Sequence, residues 1–368
     1  SHIGVVMPPT SATEKALSSI WGDLLGLSSD SVSIDQNFFD LGGHSLKASI
    51  LNTRINRNLN VHLPLLEVFL NPTIKALSKK IDLLKTSETD LNASVVLLRK
   101  DSRSSQNLFL LHDGSGTIEG YVSLVQNVDG FNCYGISDPD LDKWSPINCT
   151  VEDMAARYIS RIKEIQPGGP YYLGGWSFGG IIGYEVARML EAQGEVVSHL
   201  VMIDSKLPSI NEEAHVPYTV ASEQALLSQI GIDVTSDDLE SYWQNVGRLL
   251  EENESIWEVF RNIVPQEFKV LIKNYENMAV EEFVPRLNTV RSLQHALVNY
   301  RSRHILQAGI LYFEASDSPS VNSEISRLSS DLEIRRVVGN HFSIMDSPCI
   351  EVIGTQISRV LGEIDIQQ

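Results

Sequence analysis

The sequence is poor in three features that would otherwise point to particular classes of function. Its 368 residues include only three cysteines, Cys133, Cys149 and Cys349, too few and too scattered for a disulfide framework or a metal site. We therefore expect no metal and a reducing, cytoplasmic compartment. No apolar run is long enough to cross a membrane. Only 29 lysine and arginine residues face 47 aspartate and glutamate residues, and the resulting net charge of −18 argues against a nucleic-acid partner.

The chain is nevertheless long enough to form more than one folded unit. With 42% hydrophobic residues, its length predicts one large or two modest globular domains. The segment from Lys85 to Ser94, KTSETDLNAS, is polar and has no apolar periodicity. We expect a flexible linker there, which divides a short first part from a longer second part.

The part before this linker predicts a small helix bundle. Residues 11–14, SATE, have the capping-box pattern that begins a helix, and Gly26 is placed to end it. A second helix is predicted to begin at Ser45, and Asn71-Pro72 provides an N-cap and a first-turn proline for a last helix. The inward-facing apolar positions of these helices are Leu17, Ile20, Trp21, Leu24, Leu25, Leu46, Ile50, Ile55, Ile74, Leu77 and Ile81.

The start of the second helix carries a candidate attachment site, in residues 38–48, FFDLGGHSLKA. Gly42 and Gly43 keep the approach to Ser45 open, and a helix N-terminus favours an anionic group on the serine oxygen. Serine is also a common N-cap. From the residues alone, Ser45 is therefore either the attachment point of an anion or a simple helix cap.

The longer part is organised around residues 171–190, YYLGGWSFGGIIGYEVARML. A short apolar strand, residues 171–173, precedes a predicted helix, Ile181 to Leu190. Between them, residues 175–179, GWSFG, match the G-x-S-x-G nucleophile elbow, whose glycines allow a sharp turn from strand to helix. We predict that Ser177 is a nucleophile. The alternative is a tight turn whose serine only caps the helix.

Strands and helices alternate from Val95 onward, which predicts a mostly parallel sheet with helices on both faces. Together with the elbow, this alternation predicts an α/β-hydrolase fold. The insertion from about Pro208 to Pro285 has its own helical periodicity and predicts a helical lid at the active-site edge. An ordinary helical cap without a gating role is the alternative.

An elbow serine needs an acid and a histidine, in the chain order serine, acid, histidine. His341 directly follows the last predicted strand, where the general base belongs. Asp204 and Asp317 each follow a strand at the carboxyl edge of the sheet, so either could orient the imidazole. Glu314 is a third candidate, and the residues alone leave the acid open.

Two backbone N–H groups are expected to stabilise the oxyanion. One belongs to Phe178, directly after the nucleophile, and the other is assigned to Gly114 in the loop HDGSG, residues 112–116. Asp113 would repel the developing negative charge if it pointed inward. We therefore expect its carboxylate to point away or to bond within its own loop.

The chain resembles the terminal didomain of nonribosomal peptide synthetases, a peptidyl carrier (thiolation) domain followed by a type I thioesterase domain. The signature FFDLGGHSL supports the first part and residues 173–208 the second. The resemblance implies a four-helix carrier domain over residues 10–84, a linker over 85–94 and a thioesterase domain over 95–368. It further implies covalent 4′-phosphopantetheine on Ser45, and Asp204 rather than Asp317 or Glu314 as the acid.

The function implied by this resemblance is release of an acyl or peptidyl chain, carried as a phosphopantetheine thioester and transferred to Ser177. Release would occur by macrocyclisation or hydrolysis, and a Claisen-type carbon–carbon closure is an alternative. The implied partners are upstream condensation and adenylation domains, a phosphopantetheinyl transferase and the thioester substrate. Two other hypotheses are editing hydrolysis of misprimed carriers and a docking module whose hydrolase-like domain is only a scaffold. A complete set of Ser177, Asp204 and His341 argues against the scaffold.

Overall fold

A computed structural model gives the fold, and the chain divides into two compact units, Ser1–Ala93 and Ser94–Gln368. Most of the predicted linker and Cys149 lie outside the described residues. The structure describes residues 7–28, 32–59, 61, 63, 65–86, 95–138, 150–208, 219–228, 231–263, 271, 272, 275, 278–301, 304–318 and 325–364.

The first unit is a bundle of helices around one apolar core. Trp21 and Phe38 meet edge to face at its centre, with ring centroids 5.0 Å apart. The inward positions Leu17, Ile55 and Leu77 are completely buried, as their helical spacing predicted. The helices are α1 (Ala12–Leu25), α2 (Ser45–Leu59), α3 (Leu65–Leu70) and α4 (Ile74–Thr86).

The predicted starts of α1 and α4 have different outcomes. The predicted capping box is confirmed, because Ser11 Oγ accepts from the Glu14 N–H while the Glu14 carboxylate accepts from the Ser11 N–H. The predicted cap of α4 at Asn71 is wrong. The Asn71 amide bonds back to Glu67, and Thr73 Oγ1 caps the helix by accepting the Ala76 N–H at 3.1 Å.

The second unit contains a seven-stranded sheet in the order β1-β3-β2-β4-β5-β6-β7. Only β1 is antiparallel to its neighbour. The strands are β1 (Val95–Arg99), β2 (Asn107–Leu111), β3 (Asn132–Ile136), β4 (Tyr171–Trp176), β5 (Val197–Ile203), β6 (Gly309–Ala315) and β7 (Leu332–Val337). The helices are α5 (Tyr121–Val125), α6 (Val151–Ile165), α7 (Phe178–Ala192), α8 (Val220–Ser228), α9 (Leu239–Glu252), α10 (Glu254–Ile263), α11 (Val280–Asn299) and α12 (Cys349–Ile364).

Both faces of this sheet are covered. Alternate strand residues point to opposite faces, and Leu173 and Met202 belong to one apolar cluster with α6, α7 and part of α11. Tyr172 and Val201, on the other face, are equally buried, and α5 packs against α12. A parallel sheet buried on both faces agrees with the predicted α/β-hydrolase architecture. It also brings the carboxyl ends of β2 and β4–β7 to one edge.

The predicted lid corresponds to helices inserted between β5 and β6. Helices α8, α9, α10 and the first half of α11 share an apolar cluster of their own, which includes Trp243, Trp257 and Phe283. Pro285, the predicted end of the lid, lies inside α11. The helix that returns the chain to the sheet therefore begins within the insertion.

Candidate active site

The elbow between β4 and α7 depends on glycine for steric reasons. Ser177 has φ 56° and ψ −121°, a strained conformation that turns the chain sharply. A Cβ on Gly175 would lie 2.2 Å from the carbonyl carbon of Gly179, and a Cβ on Gly179 would lie 2.3 Å from the Leu111 carbonyl oxygen. Neither neighbour can move away, since both are backbone atoms. The predicted reason for the two glycines is thus confirmed.

Three side chains from distant parts of the chain meet at the carboxyl edge of the sheet. Ser177 Oγ lies 2.9 Å from Nε2 of His341, and Nδ1 of His341 lies 2.7 Å from Oδ2 of Asp204. A carboxylate only accepts, so Nδ1 carries the proton and Nε2 is left to accept from the serine hydroxyl. This arrangement can activate a serine nucleophile.

Asp204 is held in an environment that keeps it ionised. Its side chain is 1% exposed. Burial by itself raises the pKa of Asp204, but hydrogen bonds from His341, the Ala315 N–H and the Ser318 hydroxyl outweigh burial and lower that pKa below its ordinary value. The fixed carboxylate can therefore orient the imidazole and stabilise it when it becomes positively charged.

The two other candidate acids lie in or beside β6 without replacing Asp204. Both ring nitrogens of His341 are occupied by Asp204 and Ser177. The carboxylate of Asp317 is exposed and accepts from Ser316, while Glu314 faces Arg336 at 3.6 Å. The residue that the loop after β6 contributes to this site is Ser318. It was not predicted from the sequence, although it is next to Asp317.

Trp176, directly before Ser177, also contacts His341. Its indole N–H donates to the backbone carbonyl of His341 at 3.0 Å. Its own backbone N–H donates to the buried hydroxyl of Tyr121 at 2.8 Å, and that hydroxyl donates to the Leu111 carbonyl at 2.6 Å. Burial raises the pKa of Tyr121, so the hydroxyl keeps its proton. Neither role was predicted from the sequence, where an aromatic residue in the elbow motif was the only local signal.

The structure brings Gly114 and Phe178, the residues assigned as oxyanion donors, close together. Phe178 is the first residue of α7, and a Cβ on Gly114 would lie 3.9 Å from the Phe178 Cβ. The carboxylate of Asp113 accepts from the N–H and hydroxyl of Ser115, which confirms that it bonds within its own loop. Leu271, from the insertion between β5 and β6, lies next to the same glycine, with its Cδ2 3.5 Å from the Cβ position built on Gly114.

Ser45 stands at the beginning of α2, as predicted, although its side chain lies outside the described residues. The preceding turn requires glycine for two different reasons: Gly42 has φ 96°, which favours glycine, and a Cβ on Gly43 would lie 2.3 Å from the ring of Phe38. Lys47 Nζ donates to the Gly42 carbonyl at 3.4 Å. A helix N-terminus with a lysine in its first turn suits a covalently attached phosphodiester.

Within the described residues, no helix is long and apolar enough to cross a membrane. The same residues contain no group of three or more histidine, cysteine, aspartate or glutamate side chains that could hold a metal ion.

Comparison with known families assigns each part of the chain separately. The family described as the thioesterase domain matches residues 106–358. The family described as the phosphopantetheine attachment site matches residues 15–81.

Among individual proteins, Malpibaldin synthetase from Mortierella alpina is 37% identical over 198 residues, which cover 54% of this chain and 4% of that protein. A dimodular nonribosomal peptide synthase from Bacillus subtilis (strain 168) is 36% identical over 198 residues, covering 54% of this chain and 8% of that protein. The chain thus spans less than a tenth of either curated relative. A similar fold is found in the crystal structure of a holo four-domain nonribosomal peptide synthetase bound to AMP and glycine. The TM-score is 0.56 and the sequence identity is 24%, and the match covers 98% of this chain and 27% of that one.

Proposed function

Because this chain belongs to the thioesterase-domain family and carries a phosphopantetheine attachment domain ahead of that domain, we propose that it is the terminal, product-releasing part of a nonribosomal peptide synthetase. The two family matches confirm the predicted order of a carrier domain and a thioesterase domain and the predicted cofactor. We assign residues 10–84 to the carrier, 85–94 to a linker and 95–368 to the thioesterase domain. The proposed lid covers about residues 208–285.

The observation that supports this proposal most strongly is the hydrogen-bonded series Ser177–His341–Asp204. In the first half-reaction, His341 Nε2 takes the proton of Ser177 while Oγ attacks the thioester carbonyl. The backbone N–H groups of Phe178 and Gly114 stabilise the oxyanion. A C–O bond forms and the C–S bond breaks, His341 returns the proton to the departing sulfur, and the acyl chain remains as an ester on Ser177.

We propose that Ser45 is the residue that bears 4′-phosphopantetheine, attached by a phosphopantetheinyl transferase. The group supplies a thiol that carries the acyl or peptidyl chain as a thioester. The positive end of α2 and Lys47 would stabilise its phosphodiester charge. Upstream condensation and adenylation domains would provide the chain to be released.

The second half-reaction transfers the acyl group from Ser177 to water or to a nucleophile within the chain, as hydrolysis or macrocyclisation. Leu271 of the insertion lies beside Gly114, which supports a lid that limits the entry of water to the reacting centre. Claisen-type closure is a second candidate for this step, and editing hydrolysis of misprimed carriers is another. The presence of a carrier and a thioesterase in one chain favours product release over editing.

The proposal is tested with the full chain loaded by a phosphopantetheinyl transferase with a panel of acyl and peptidyl groups. We expect Ser177→Ala to abolish release, while Ser160→Ala, which alters an exposed hydroxyl on α6, leaves it unchanged. Mass spectrometry of the products scores free acids and cyclic products separately. Continued release by Ser177→Ala would contradict the assigned nucleophile.

The attachment site is tested by intact-mass measurement after treatment with the transferase and coenzyme A. One added phosphopantetheine is expected on the unaltered chain and on Ser28→Ala, which changes an exposed serine in the same unit. Ser45→Ala should show no added mass. A labelled Ser45→Ala chain, or a second modified residue, would refute a single attachment site at Ser45.

A further inference from the structure

A buried histidine outside the three hydrogen-bonded side chains contacts the loop that follows β2. His112 is completely buried, and its Nδ1 lies 2.8 Å from the backbone carbonyl oxygen of Asp113. Its Nε2 lies 2.8 Å from the hydroxyl of Tyr158 on α6. The rings of Tyr158 and Phe178 pack beside the imidazole. The histidine therefore links the helix layer to the Gly114 loop.

The two contacts define which nitrogen of His112 carries the proton. A carbonyl oxygen can only accept, so Nδ1 must be the donor. Nε2 then has a lone pair and accepts the Tyr158 hydroxyl proton. Burial lowers the pKa of His112 to about 4, so the ring remains neutral at physiological pH and this tautomer persists. Each hydrogen bond in the series Tyr158–His112–Asp113 thus has one direction.

The Asp113 carbonyl and the Gly114 N–H belong to the same peptide unit. That peptide is trans, since the cis peptide bonds of the described residues lie elsewhere. In a trans peptide the C=O and N–H groups point in opposite directions. The carbonyl is held by His112 on one side and by the Gly116 N–H at 3.0 Å on the other. With its carbonyl held in this way, the Gly114 N–H must point away from His112.

We infer that His112, supported by Tyr158, is a positioning residue that fixes the Asp113–Gly114 peptide so that the Gly114 N–H stands ready for the oxyanion. The inference rests on the proposed roles of Ser177 and Gly114. Such a donor is effective because its orientation is set before the reaction and needs no rearrangement as charge develops. The side chain itself does not touch the reacting atoms, so its influence passes entirely through one peptide unit.

Two substitutions at His112 separate loss of the donor from loss of the ring. In His112→Asn the amide nitrogen replaces Nδ1 at nearly the same distance from the backbone, so the Asp113 carbonyl keeps its donor. In His112→Leu that donor is lost. Using the full chain with an N-acetylcysteamine acyl thioester as substrate, we expect His112→Leu to lower kcat roughly 10- to 100-fold at unchanged KM, because misaligning an oxyanion donor costs less than deleting it. His112→Asn should recover most of this loss.

A spectroscopic measurement reports the oxyanion site directly. The infrared stretch of a ¹³C-labelled acyl carbonyl on Ser177 lies at lower frequency when N–H groups donate to it. The band should move to higher frequency in His112→Leu and remain in place in His112→Asn. An unshifted band in a folded His112→Leu chain would overturn the inference. If no acyl-Ser177 forms in the unaltered chain, the proposed function has failed instead.

Tyr158→Phe provides a second variant in case His112→Leu does not fold. It removes only the hydroxyl behind Nε2, so we expect a smaller loss of kcat and a change in the ¹⁵N resonance of His112 Nε2. In the unaltered chain, ¹⁵N spectra should show a protonated Nδ1 and an unprotonated Nε2 at neutral pH, with His112 identified by its absence in His112→Asn. A protonated Nε2 would refute the assigned hydrogen-bond direction.

Discussion

Asp204 lies where a carboxylate can hold His341 without losing its own charge. Hydrogen bonds from His341, Ala315 and Ser318 offset its burial and keep its pKa below the ordinary value. Asp204→Asn keeps the volume of the side chain, but its amide is the wrong hydrogen-bonding partner for Nδ1 of His341. We expect release to slow roughly 10³- to 10⁴-fold, while Asp317→Asn changes it less than about threefold. Single-turnover rates from the loaded carrier measure both, and the reverse order of effects would transfer the acid role to Asp317.

Trp176 connects the elbow to His341 through a single hydrogen bond. Trp176→Phe keeps an aromatic ring but removes the N–H that holds the His341 carbonyl. We expect kcat for an N-acetylcysteamine thioester to fall about tenfold with little change in KM, because a small displacement of the base affects mainly the chemical step. Trp21→Phe is the control, since the Trp21 indole nitrogen has no hydrogen-bond partner among the described residues. Equal kcat values for the two variants would contradict a positioning role for Trp176.

The buried His112 also makes stability depend on pH. Burial lowers its pKa from 6.5 to about 4, so between these values the unfolded chain binds a proton that the folded chain does not. Stability therefore falls as the pH falls through this window, by about 3 kcal/mol for this group alone. Asp204 acts in a different window: its lowered pKa contributes stability above pH 3.8, which is lost only below that value.

We expect His112→Asn to reduce this dependence on pH. Hydrogen exchange of a β2 peptide between about pH 4.5 and pH 7, corrected for intrinsic exchange rates, measures the change in local stability. The unaltered chain should lose protection toward lower pH more steeply than the variant. Equal slopes would show that His112 is not the group responsible.

The elbow has little freedom to accept larger residues. Gly175 has a backbone atom of Gly179 at 2.2 Å from its missing Cβ, so Gly175→Ala must displace the strand, the helix or both. We expect the free energy of unfolding to fall by about 1–3 kcal/mol and activity to fall about 10²-fold, because Ser177 moves with the backbone. Gly168→Ala is a matched control with open space around the added methyl group. Normal activity in Gly175→Ala would contradict the steric account of the elbow.

The two units of the whole molecule have separate apolar cores. The core of the carrier unit contains Trp21 and Phe38, and the thioesterase unit is built on both faces of its sheet, with the helices inserted between β5 and β6 forming a further cluster. Each unit therefore has the means to fold without the other. In the proposed function, their chemical cooperation relies on the covalent connection through residues 85–94, which raises the effective concentration of one unit for the other.

A protease site placed in this connection tests that dependence. While the two units are joined, each encounters the other at an effective concentration in the millimolar range. After the folded, loaded chain is cut, this becomes the actual protein concentration. At micromolar protein, we expect the release rate to fall by about 10²-fold or more and to become proportional to concentration. A chain with the same inserted site, left uncut, is the control. An unchanged, concentration-independent rate after cutting would mean that the units remain associated without the tether.

Features that depend on neighbouring residues could be obtained from the amino-acid sequence alone. The elbow, the glycines before Ser45, the capping box at Ser11 and the alternation of buried strands each follow from local sterics or local hydrogen bonding. They were sufficient to predict the fold class and to select Ser177 and His341. Where two local signals competed, as at Asn71 and Thr73, the sequence favoured the wrong cap, because the Asn71 side chain bonds to a preceding helix.

The supporting interactions were decided only by the tertiary structure. His341 and Ser177 are 164 positions apart, Trp176 and His341 165, and His112 and Tyr158 46. Asp204 and Asp317 both follow strands at the same sheet edge, and only the folded chain brings Asp204 within 2.7 Å of Nδ1 and turns Ser318 toward it. The physical reason is that a hydrogen bond requires a distance and an angle, and these depend on how strands and helices pack. Sequence order determines which groups are available, and packing determines which of them meet.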